Sequence, residues 1–160
     1  MEAMPYLGAS SIKLMGNKTM EYTKEELTDM LLNGMEQFFE ECDDVLEFGK
    51  VCTTGAPDVV SQTNVLMVGV FADWKRLVGE AIIYGMELKR FPEIALAGNS
   101  KVDNFDLILE KCTEISVGCY IFDIANEDLF RFAEGMGGWT KTNIDVLTQN
   151  IRTEAVSAMN

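Results

Sequence analysis

Histidine is absent from all 160 residues. Without it the chain has no Ser-His-Asp or Cys-His nucleophile pair, no imidazole general base and no histidine-bearing zinc or non-haem iron site. The commonest catalytic sets are thereby excluded, and the sequence reads as that of a non-enzyme. Paired cysteine motifs are missing too. Cys42, Cys52, Cys112 and Cys119 form no C-x-x-C, and Glu2 stands where a secretory leader carries its basic residues. The expectation is reduced, mostly buried thiols in a cytoplasmic protein, or in an assembled particle made in the cytoplasm. No hydrophobic run is long enough for a bilayer. The longest nearly uncharged stretch, 59–72, has about 14 residues against the roughly 18 to 20 a spanning helix needs.

Positive charge is also scarce. Thirteen Lys and Arg face 26 Asp and Glu, a net charge of −13. The basic residues are scattered, with Lys75-Arg76 and Lys89-Arg90 the densest pairs. Such a balance repels phosphate backbones and anionic lipid, so direct nucleic-acid binding is not expected.

What is present is a hydrophobic content of 48%, enough for one domain burying roughly two thirds of its unfolded surface. Residues 1–11 have Pro5, Gly8 and no apolar period, and read as an arm. Ile12-Lys13-Leu14-Met15 and Lys18-Thr19-Met20-Glu21-Tyr22 flank Gly16-Asn17, a turn pair suited to a hairpin. Thr23-x-x-Glu26 is a capping box, and Glu25 and Glu26 suit the positive end of a helix dipole. Leu27, Met30, Leu31, Met35, Phe38, Cys42, Val45 and Leu46 then predict an amphipathic helix over 23–49.

After a connection at 52–58, Asp58 or Ser61 can cap a second helix reaching about Arg90, where Phe91-Pro92 stops it. Val65, Leu66 and Val68 make its first half apolar all round, the pattern of an element covered on every side. A loop is predicted over 91–102. Asp103 caps a third helix carrying Phe105, Ile108, Leu109, Cys112, Ile115, Cys119 and Phe122 at helical spacing. The stretch 115–124 is also rich in β-branched and aromatic residues, so a strand there is the alternative. Asn126 caps a short helix bearing Leu129, Phe130 and Ala133 and ending at Gly135. Thr142-x-x-Asp145 opens a last helix with Ile144, Leu147, Ile151 and Ala155 inward.

The fold expected from these periods is mainly α: a small bundle of four to five helices with an N-terminal arm or short β-hairpin over 1–22 and one helical domain over 23–160. An α+β fold with a strand at 115–124 is the alternative.

Candidate sites are few. The acidic run Glu36, Glu40, Glu41, Asp43, Asp44 and Glu47 places carboxylates four apart on a helix face, where a hard cation could bind, but it lacks a calcium-loop pattern and reads as a solvated face. Gly135-Met136-Gly137-Gly138-Trp139 follows a helix and lacks the Lys-Ser/Thr of a phosphate loop, so it reads as a terminating turn. Cys52 has only Lys50 nearby to activate it. No catalytic, cofactor-binding or metal residue is assigned. The covered helix and the arm without a core face point instead to protein partners in a homo- or hetero-oligomer, with Val65, Leu66, Val68, Met4, Tyr6 and Leu7 as the interaction residues. The function expected is a small acidic assembly subunit, viral and phage structural components included. Its alternatives are an acidic inhibitor mimicking nucleic acid and a small-ligand or enzymatic domain using carboxylates.

Overall fold

A computed structural model describes residues 11–14, 20–125 and 130–132, with the helical positions Asp145, Gln149, Asn150 and Thr153. The fold is α/β, which overturns the expected mainly α bundle. Two antiparallel strands, β1 (Ser11–Leu14) and β2 (Met20–Thr23), lead into helix α1 (Lys24–Glu41). A five-stranded mixed sheet follows, from β3 (Val59–Val60), β4 (Asn64–Val70), β5 (Phe91–Gly98), β6 (Gly118–Asp123) and β7 (Phe130–Phe132), side by side in that order. Helix α2 (Trp74–Leu88) connects β4 to β5, and α3 (Phe105–Glu114) connects β5 to β6. The three central strands are parallel, and both edge strands run antiparallel to their neighbours.

The sheet lies between two hydrophobic layers. Leu66, Val68, Val70, Ala95, Ala97, Tyr120 and Phe122 point towards α1, where Phe38 packs edge-on against both Tyr120 and Phe39. Val65, Met67, Ile94, Leu96, Cys119 and Ile121 point the other way, towards Leu77, Val78 and Ala81 of α2 and Phe105, Ile108 and Cys112 of α3.

This two-sided cover explains the largest correction. All seven residues of β4 are buried. A parallel strand covered on both faces carries apolar residues without alternation. A helix enclosed on every side gives the same pattern, so periodicity cannot separate the two. Val65, Val68 and Val70 favour the strand, because β-branched side chains fit a pleated surface. Gly69 serves close packing there: a Cβ at that position would stand 2.9 Å from Leu77 Cδ1. The second helix therefore starts at Trp74, not at Asp58 or Ser61, and Lys89 closes it in the left-handed conformation (φ 61°).

The loop expected over 91–102 is largely β5, the central strand, and only its turn signal at Gly98-Asn99-Ser100 marks a true break. The third helix ends at Glu114, and 118–123 is the strand weighed as the alternative. Its N-cap is Asn104, whose side chain accepts from Leu107 N, while Asp103 accepts from Asn99 N at 2.9 Å. Phe130 belongs to β7 and not to a helix capped by Asn126; Asn126, Leu129, Ala133 and the glycine cluster 135–139 lie outside the described residues.

Other readings hold. The capping box at Thr23 forms in both directions, with Glu26 N donating to Thr23 Oγ1 at 3.0 Å and Thr23 N to Glu26 Oε1 at 2.8 Å. The helix it starts stops at Glu41, well short of Gly49. Its last turn has no basic residue, and Glu40, Glu41, Asp43 and Asp44 crowd the negative end of the dipole. Asp43 then turns the chain away at φ 61°. The hairpin strands pair, with Leu14 opposite Met20; the turn expected at Gly16-Asn17 lies outside the described residues. Helical Asp145, Gln149, Asn150 and Thr153 agree with the last predicted helix; its inward positions are outside them. Among the described residues no helix is long and apolar enough to cross a membrane.

Candidate interaction surface

Open α/β sheets take ligands beyond the carboxyl ends of their strands, in the crevice where neighbouring crossovers leave on opposite faces. Here α2 and α3 pack on the same face. The carboxylates at that end hold loops together. Asp123 Oδ1 accepts from Ser100 N and Ala125 N, both at 3.1 Å, and burial pushes Asp103 above the ordinary carboxylate range. Among the described residues no group of three or more His, Cys, Asp or Glu can hold a metal ion.

The opposite end differs. Residues 42–58, between α1 and β3, are fixed along their length. Thr63 Oγ1 donates to Asp44 Oδ2 at 2.9 Å, and Gln62 N donates to Val45 O. Leu46 bridges Ser61 and packs into the α1 layer, and Glu47 N donates to Val60 O. Arg90 Nη1 ties the corner together by donating to Glu47 Oε1 at 3.0 Å and to Ser61 O at 2.6 Å. That hydrogen bond, with the Arg90 and Lys50 charges, holds Glu47 below the usual carboxylate range. Further on, Thr53 N donates to Glu87 Oε2, Gly55 lies under the Tyr84 hydroxyl, and Asp58 Oδ2 accepts from Val68 N at 2.8 Å. The Asp58 bond occupies a strand-edge N–H of β4 beyond the end of short β3, which blunts that edge.

Anchored in this way, the segment turns apolar side chains outward. Phe48 is 76% exposed, Val51 72% and Val45 56%. The contacts place them beside two more. Val45 adjoins Gln62, Phe91 N donates to Thr63 O, and Thr53 sits against Glu87, next to Met86. Phe91 is 65% and Met86 74% exposed. The residues that carry these five side chains belong to the corner where the 42–58 segment meets the end of α2 and the start of β5. Lys50, Lys89 and Arg90 lie among them. Phe48 lines a small solvent-open depression of about 60 Å³ together with Glu36, Glu47, Lys50 and Asp58.

The residues expected to face partners lie elsewhere. Val65, Leu66 and Val68 are at most 3% exposed, and the chain's own helices cover them. Met4, Tyr6 and Leu7 are outside the described residues. The acidic run is divided: Glu36 and Glu40 stay on α1, where burial and then Glu40 push Glu36 upward, while Glu47 pairs with Arg90 and Lys50. Cys52 is buried, and burial followed by the Glu87 charge pushes its thiol up, the reverse of activation. The sequence reading missed Phe48, Val51, Met86 and Phe91. The usable signal was Phe48-Gly49-Lys50-Val51, apolar residues set among turn and charged residues with no helical partner once α1 has ended.

No protein-family model, no curated protein and no solved structure matches this chain.

Proposed function

We propose that this protein is an interaction subunit that works by docking another polypeptide, and not by catalysis. The observation that carries this reading is the corner surface. Of the nine large hydrophobic side chains exposed among the described residues, five belong to that corner, three of them on a segment held to the rest of the fold by six hydrogen bonds. Scattered single apolar residues are ordinary on any surface, whereas a contiguous group rimmed by charge is the usual form of a protein contact. Because the supporting backbone is already fixed, little ordering entropy opposes docking. The net charge of −13 argues for a protein partner over nucleic acid or an anionic membrane.

The test is native mass spectrometry of the protein purified from its own host, for the parent and for a Phe48→Ser, Val51→Ser, Phe91→Ser variant. The expected result is a mass above the 17.9 kDa monomer, lost in the variant while its melting temperature stays near the parent's. A parent that remains monomeric and alone, or a variant that keeps the complex, would overturn the reading.

A further inference from the structure

The four cysteines comprise two separate residues and one pair. Cys42 caps the end of α1, and Cys52 lies against Glu87. Cys112 is in the final turn of α3, and Cys119 is the second residue of β6. Both are buried in the same layer, with their side chains hydrogen-bonded to each other. The turn between them sets this contact: Ser116 takes a left-handed conformation (φ 61°), and Val117 N donates to Cys112 O at 2.9 Å.

We propose that Cys112 and Cys119 form an oxidisable dithiol that closes to an intramolecular disulfide, tying the last turn of α3 to β6. Three features support it. The thiols are already in contact across the two elements. Helix α3 is the shortest of the three named helices, with three buried side chains against six in α1 and four in α2. Its end is exposed at Glu114, Ile115 and Ser116, so the turn carrying Cys112 belongs to the part of the fold that opens locally at low cost.

The chemistry is thiol–disulfide exchange with a small-molecule disulfide as oxidant. The Cys119 S–H, donating to Cys112, holds the Cys112 thiol below its ordinary value. That donation and burial push Cys119 well above its own. Cys112 therefore attacks first as the thiolate. Its sulfur bonds to one sulfur of the oxidant, whose S–S bond breaks and releases one thiolate. Cys119 loses its proton to that thiolate and attacks the Cys112 sulfur, expelling the second thiolate, which takes up the Cys112 proton from solvent. The protein loses two hydrogens and two electrons, and the oxidant becomes two thiols.

The folded full-length protein would be incubated with oxidised glutathione, quenched with an alkylating agent and mapped by peptide mass spectrometry. The expected product joins Cys112 to Cys119, raises the melting temperature and leaves Cys42 and Cys52 unlinked. A Cys119→Ala variant should instead accumulate glutathione on Cys112. Should that variant fail to fold, parent protein equilibrated across glutathione redox ratios gives the same decision, as the cross-link should titrate as a single two-electron step. Recovery of Cys112 and Cys119 as free thiols while Cys42 takes glutathione, or a cross-link formed only in urea, would overturn the proposal.

Discussion

Residues 45–51 and the strand β4 are stretches of similar length, each with several apolar side chains and one glycine, yet they meet opposite fates. Every residue of β4 is buried, whereas Val45, Phe48 and Val51 are more than half exposed. The difference lies in what the backbone can pair with. β4 has β5 along its whole length on one side and β3 with Asp58 on the other, so its side chains can be sealed under helices on both faces. The 45–51 segment bridges the sheet at Leu46 alone, and there the side chain packs inward. Apolar content fixes how much surface wants cover, and backbone pairing decides which of it receives cover.

That contrast can be broken most directly by truncating aromatics. Phe38→Ala under the sheet, or Phe122→Ala within it, should destabilise by about 3–5 kcal/mol, since both side chains are sealed. Unchanged urea midpoints would refute the layer assignment. Trp74 is only half-buried at the start of α2, so Trp74→Ala should fall below that range.

Next in size is Gly98→Ala. Its Cβ would meet the Phe105 ring at 2.6 Å and the Phe71 ring at 3.3 Å. A ring wedged between β5 and α3 yields less readily than an aliphatic tip, so a loss of about 1–3 kcal/mol is expected in denaturant titration.

Asp58 sharpens the comparison at the strand edge. Asp58→Ala leaves Val68 N–H without its acceptor and should cost about 1–3 kcal/mol. Asp58→Asn keeps an acceptor and removes a partly buried charge. Burial pushes the Asp58 carboxyl up, against the pull of the Val68 N–H. A raised folded-state value means that its contribution to stability is present at acid pH and lost as the pH rises through that value. The asparagine variant should therefore match or exceed the parent at neutral pH and lose that advantage on acidification. Melting curves from pH 4 to 8 test the sign, and an asparagine variant as unstable as the alanine one would show that the charge itself holds the edge.

The smallest stability effect is expected at the corner. Phe48→Ala and Val51→Ala should each shift stability by no more than about 0.5 kcal/mol. A loss of several kcal/mol in the isolated protein would mean that these side chains are core, and the contrast between the two stretches would fail.

How much was legible follows residue by residue. Thr23 and Glu26 announced the start of α1 because a capping box is settled within four residues. The Gly98-Asn99-Ser100 break and the stop near Phe91 were legible for the same reason. The strands β4 and β5 were not, since their burial comes from α1 and α2 packed on opposite faces and from pairing with each other across the α2 crossover. The corner surface was hidden by the premature end of α1: with a helix continued to Gly49, Val45 and Leu46 look alike and inward.

By itself the sequence determined the missing histidine chemistry, the excess of negative charge and the local caps and turns, because each depends on neighbours along the chain. Only the tertiary structure decided that the apolar runs are strands, that Val65, Leu66 and Val68 face inward and that Phe48, Val51, Met86 and Phe91 stay exposed. Those outcomes depend on which backbone groups far apart in sequence become hydrogen-bond partners, and no local pattern carries that information.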